Sequence, residues 1–88
     1  MVSRQWWIAI NNKGDNMKYI VIELQTNGDY VANIVTSYDT REQADSAYYS
    51  ILSAAAVSRV ELHSASLLTN EGNCIMSVHY RHGENENV

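Results

Sequence analysis

The sequence predicts an α+β domain of ββαββ order, a four-stranded antiparallel sheet with one amphipathic helix packed on one face. Three observations lead there. An alanine-rich segment over residues 40–57 repeats its apolar positions at helical spacing. On either side of it, residues 18–36 and 60–82 each read as two strand-forming runs joined across a glycine turn. A single helix covers only one face of such a sheet, so the second face needs a partner.

The domain is assigned to residues 17–82, with residues 1–16 as a leader and the polar, acidic residues 83–88 (GENENV) as a disordered tail. In the leader, residues 5–10 (QWWIAI) are a candidate extra N-terminal strand and residues 11–16 (NNKGDN) a polar turn. Trp6 or Trp7 is expected to cover apolar surface, in the same chain or on a neighbouring subunit. Met17 opens a stretch that reads as a natural start.

Residues 18–25 (KYIVIELQ) and 29–36 (DYVANIVT) form the first hairpin across Thr26, Asn27 and Gly28. A two-residue Asn-Gly turn would pair Ile20 with Val35 and Ile22 with Asn33. A three-residue loop with Gly28 in the left-handed region pairs Ile20 with Ile34, Ile22 with Ala32 and Leu24 with Tyr30. That separates apolar from polar better, and it is the expected register.

Asp39 with Glu42 and Thr40 with Gln43 are overlapping capping-box candidates at the helix start. At helical spacing Ala44, Ala47, Tyr48, Ile51, Leu52, Ala54 and Ala55 share one arc, opposite Glu42, Ser46, Ser50 and Ser53. The arc is the expected core face, and its alanines let the helix sit close to the sheet. Tyr49, Ala56 and Val57 lie outside it and suggest a second contact.

Residues 60–69 and 74–82 form the second hairpin around Asn70-Glu71-Gly72-Asn73. A turn centred on Glu71 and Gly72 pairs His63 with Tyr80, Ala65 with Val78 and Leu67 with Met76 on one face. Ser64, Ser66, Ser77 and His79 then occupy the other, bounded by Leu62, Leu68 and Ile75. With these registers the uncovered face of the first hairpin shows Tyr19, Val21, Val31 and Val35 beside Glu23 and Asn33. Tyr19, Val21, Val31, Val35, Leu62, Leu68 and Ile75 are therefore the candidate oligomer face, and a stable interface buries about 800 Å² per partner.

Composition excludes several functions. With 45% hydrophobic and 18% charged residues, the chain can build a core. Its six basic residues are dispersed against ten acidic ones, which argues against duplex nucleic acid as a partner. Cys74 is the only cysteine, which removes an intrachain disulfide and fits a cytoplasmic setting. The longest apolar run near the N-terminus is too short for a membrane span.

No catalytic, cofactor or metal signature emerges. Gly28 and Gly72 are turn glycines, since neither GxGxxG nor the Walker pattern is present. His79 and His82 with Cys74 lack a fourth zinc ligand, and i, i+3 spacing on a strand sends the imidazoles to opposite faces. His63 opposite Tyr80 reads as a semi-buried hydrogen-bonded pair, with no nearby carboxylate to orient the imidazole. Ser64, Ser66, Ser77 and His79 form a candidate polar binding patch, without the orienting acid and oxyanion donors that a nucleophile needs.

Over residues 17–82, the runs MKYIVIELQT, ADSAYYSILSAAAVS and ELHSASLLTNEG carry a resemblance. The chain resembles a family of small uncharacterised proteins from phages, prophages and other mobile elements of gut and related bacteria. The resemblance implies a phage-associated setting and assigns no active-site residue. The expected function is a non-enzymatic, homo-oligomeric accessory protein that binds a protein partner. One alternative is a sequestering protein for a small nucleotide signal, which requires a pocket containing Arg59, Arg81 or another cation at a subunit boundary. The other is an enzyme working through His63, His79 or Tyr80.

Overall fold

A computed structural model describes residues 17–82, so the candidate N-terminal strand, Trp6, Trp7 and the tail lie outside the described residues. Strands β1 (Tyr19–Asn27) and β2 (Tyr30–Tyr38) precede helix α1 (Arg41–Val57), and β3 (Leu62–Thr69) and β4 (Cys74–Arg81) follow it. The four strands form one antiparallel sheet in the order β2-β1-β3-β4. This is the expected α+β, ββαββ fold, with β1 and β3 central and β2 and β4 at the edges.

Thr40 is the helix N-cap. Its extended backbone leaves Oγ1 to accept the Gln43 N–H at 3.2 Å, satisfying one orphan amide of the first turn. Of the two capping candidates this is the one used, because Asp39 instead accepts from Lys18 Nζ. Ala44, Tyr48 and Ala55 are buried against the sheet, with Ala47, Ile51 and Leu52 partly buried beside them. Ala54, at the edge of the expected arc, is exposed. Tyr49 meets Tyr48 edge-on at 5.1 Å and directs its hydroxyl at Met76 Sδ, whereas Val57 is exposed.

The core joins Val21, Ala44, Tyr48, Ala65 and Leu67. Alanine on both layers lets the backbones approach, and Tyr48 and Leu67 fill the space between them. The Tyr48 hydroxyl is buried and finds no hydrogen-bond partner among the described residues. Burial, and secondarily Tyr49, holds its pKa above the ordinary tyrosine value.

The first hairpin departs from both registers weighed for it. Ile20 pairs with Ser37, Ile22 with Val35 and Leu24 with Asn33, around a two-residue Gly28-Asp29 turn. Gly28 has φ +60°, the left-handed region that primed hairpin turns require at their first central position. The turn is fastened from outside the hairpin: Gly28 N–H donates to Glu61 Oε1 at 2.8 Å, and Glu61 N–H donates to Asn27 Oδ1 at 3.0 Å.

Because β1 also pairs with β3, its register answers to two neighbours and a helix. Val21 stands opposite Leu67 in the core, and Tyr19 packs against the same cluster. Tyr19 and Val21 therefore belong to the helix-covered face, which corrects their placement on the oligomer face. β1 carries apolar residues on both sides, so separation of apolar from polar within the hairpin could not choose between them.

The second hairpin keeps the expected pairing of His63 with Tyr80, Ala65 with Val78 and Leu67 with Met76. Beyond it the register shifts between Leu67 and Leu68, where Leu68 meets Cys74. The bulge leaves Ile75 as the extra residue and turns it to pack against the core. Ile75 is thus also removed from the candidate oligomer face.

Candidate functional site

Two arrangements on this scaffold have the makings of a site: a groove on the face opposite the helix, and a buried hydrogen-bond relay beneath the helix C-terminus.

Directly opposed residues of an antiparallel pair share a face. The helix-free face of β3 and β4 is therefore built from the pairs Leu62–Arg81, Ser64–His79 and Ser66–Ser77. β1 adds Leu24 beside Ser64 and Ile22 beside Ser66. A groove of about 300 Å³ is lined by Leu24, Leu62, Ser64, Ser66, Ser77, His79 and Arg81. All four residues of the sequence-derived polar patch enter it. Ser66 Oγ and Ser77 Oγ lie 2.9 Å apart and share a hydrogen bond across the strands.

Sequence reasoning missed Leu24, which depended on the face of β1, and left Arg81 as one of several cations. Arg59 lies outside this lining. Of the oligomer-face residues, Leu62 lines the groove, Leu68 is partly buried, and Val31 and Val35 are exposed on β2.

The relay centres on His63, which is 3% exposed. Its Nε2 lies 2.7 Å from Glu23 Oε2 and its Nδ1 lies 3.0 Å from Ser58 Oγ. Gln25 Nε2 donates to the same carboxylate oxygen at 2.9 Å. Val60 N–H donates to Ser58 Oγ at 3.3 Å. With the ring proton on Nε2, the imidazole donates to Glu23 and accepts from the Ser58 hydroxyl, so both nitrogens are satisfied.

A carboxylate, an imidazole and a hydroxyl in series are the components of a nucleophile relay. Their placement opposes that chemistry. Ser58 caps the C-terminus of α1, where the last carbonyls concentrate partial negative charge, and an oxyanion forming there would be repelled. What the relay does achieve is mechanical: it ties the end of the helix through β3 to β1.

The expectation that no carboxylate neighbours His63 is corrected by Glu23. Gln25 is the direct cross-strand partner of His63, which puts Glu23 on the adjacent diagonal. The miss has the same origin as that of Val21, since both side chains follow the face of β1. The clue in the sequence was one carboxylate two residues from a core valine. Tyr80 is a cross-strand neighbour of His63 but stacks with His82 at 6.4 Å. His82 Nε2 meets the Ala55 carbonyl at 2.9 Å, and Cys74 is exposed. Among the described residues no group of three or more His, Cys, Asp or Glu gathers, and no helix is long and apolar enough to cross a membrane.

No family model matches the chain, and neither a curated protein nor a solved structure does.

Proposed function

We propose that this chain is a non-enzymatic binding protein that works by strand addition along β2, first to a second copy of itself and then to a partner protein. One observation carries the reading. β2 is a nine-residue edge strand, YVANIVTSY, with no charged residue and no proline. An edge strand offers a row of unpaired N–H and C=O groups, and proteins ordinarily blunt such edges with charge, proline or bulges. β2 has none of these, and among the described residues it is largely uncovered on both sides, although Tyr38 packs against the core: Tyr30 and Ile34 are 69% and 55% exposed on the helix side, Val31 and Val35 51% and 61% on the other.

Pairing two β2 strands about a two-fold axis satisfies both edges and joins two sheets into one. It also brings the apolar side chains of both copies together on each face. The same backbone groups can capture an extended segment of another protein. In this reading the setting is a phage or mobile element, and the partner is a host protein.

Sedimentation of the full chain at micromolar concentration tests the reading. The expected species is a dimer or larger, converted to monomer by the double substitution Ile34→Lys and Val35→Lys, which places one charge on each face of the edge. A monomeric wild-type protein, or an assembly indifferent to the two lysines, would refute it.

A further inference from the structure

We propose that the groove between β3 and β4 binds a small phosphorylated ligand, a phosphate monoester bearing a sugar or a similarly compact organic group. The proposal goes beyond strand addition along β2 and uses a different surface. It rests on the composition of the lining and on the way the strands space it.

Every polar side chain in the groove can donate a hydrogen bond: three serine hydroxyls, the His79 imidazole and the Arg81 guanidinium. None of the lining residues is acidic. Among the described residues the ion pairs are those of Lys18, Arg41 and His63, so Arg81 has no carboxylate partner there. Arg59 is likewise without an ion pair among the described residues, but only Arg81 lines the groove with the serine hydroxyls, where a guanidinium suits an anion from solution.

Strand geometry brings these donors together. Ser64 faces His79 and Ser66 faces Ser77 across the ladder, at about 4.5–5.5 Å between β-carbons. Arg81, His79 and Ser77 follow one another on the same face of β4 at intervals of about 7 Å. A tetrahedral phosphate with three terminal oxygens can engage the fork of Arg81 in two hydrogen bonds and still reach neighbouring hydroxyls. A carboxylate has only two oxygens and leaves donors unused. In the Ser66–Ser77 pair one hydroxyl donates to the other, and the second proton remains free for a ligand.

The rest of the lining specifies the rest of the ligand. Leu24 and Leu62 supply an apolar wall beside the donors, against which the carbon face of a sugar can lie. At about 300 Å³ the groove is at the small end of ligand sites, the size of a sugar phosphate.

The experiment is a titration of the full ¹⁵N-labelled chain with ribose 5-phosphate, inorganic phosphate, ribose and ribonate, followed by amide shifts. Ribose 5-phosphate is expected to bind in the sub-millimolar range, with shifts centred on Ser64, Ser66, Ser77 and His79. Phosphate is expected to bind more weakly, and ribose and ribonate to leave the spectrum unchanged. Arg81→Ala should weaken ribose 5-phosphate about tenfold or more, and Arg81→Lys, which keeps the charge without the fork, by an intermediate factor. Arg81 is exposed, so both variants should keep the wild-type melting curve as a check on folding.

Absence of shifts at millimolar ribose 5-phosphate, affinity indifferent to Arg81→Ala, or equal binding of ribonate would each overturn the proposal. The Ile34→Lys, Val35→Lys protein is expected to bind ribose 5-phosphate as the wild type does. The two readings therefore fail separately, one in sedimentation and the other in titration.

Discussion

Replacing Tyr48 with phenylalanine should stabilise the protein, although it removes a polar atom from the largest side chain of the core. Tyr48 is 1% exposed and its hydroxyl has no partner among the described residues. An unpaired hydroxyl buried in a protein costs about 1–3 kcal/mol. Deleting the oxygen leaves a void of about 12 Å³, a penalty of about 0.3 kcal/mol at about 24 cal/mol per Å³. The net gain is about 0.7–2.7 kcal/mol, which for a domain of this size raises the melting temperature by about 3 °C or more. Urea unfolding at neutral pH measures it as a higher midpoint at constant slope.

A second signature lies at high pH. The folded Tyr48 holds its proton above the ordinary tyrosine pKa because ionisation would bury a charge, whereas the unfolded chain releases it at about pH 10. The associated stability is fully present below about pH 10 and is lost as pH rises toward the folded value, by at most about 1.4 kcal/mol per pH unit. Subtracting the Tyr48→Phe curve from the wild-type curve over that range isolates this loss. A variant less stable than wild type by more than about 0.5 kcal/mol would show that the hydroxyl has a partner and that the reasoning fails. Parallel curves above about pH 10 would count equally against it.

Three further outcomes follow from single contacts. Glu23→Ala strips the buried His63 of its carboxylate and should cost about 2–3 kcal/mol in urea unfolding, with Glu23→Gln milder because it keeps an acceptor. Gly28→Ala should cost about 1–2 kcal/mol in a thermal melt; a Cβ there meets nothing within 4 Å, so the whole effect is backbone strain at φ +60°. Thr40→Ala should cost about 1 kcal/mol by loss of the cap to Gln43, and Thr40→Ser should restore most of it.

The structure also bears on how this sequence manages polar groups. The relay satisfies both nitrogens of a buried imidazole through partners 40 and 5 residues away, while the Tyr48 hydroxyl goes without. The first is a constraint that fixes helix to sheet, and its removal should loosen the end of α1. The second is a cost carried by the core, and its removal should tighten it. The two substitutions move stability in opposite directions although each deletes a buried polar contribution, which makes the pair a sharper test than either alone.

Much of the fold was legible in the residues themselves. The helix declares itself through its apolar spacing and the Thr40–Gln43 cap, and the second hairpin through a Gly turn between strands whose serines and apolar residues alternate. That alternation fixed the register from His63 to Leu67 and grouped Ser64, Ser66, Ser77 and His79 on one face. β1 offered no such signal, because Ile20, Ile22 and Leu24 on one side balance Tyr19 and Val21 on the other. Only its packing between β2 and β3, under a helix whose alanines demand close approach, decided that Val21 goes to the core and Glu23 to His63. The same choice sent Leu24 into the groove that Arg81 also lines. Local periodicity determines which residues share a face; when both faces of a strand are apolar, only contacts distant in sequence determine which of them is buried.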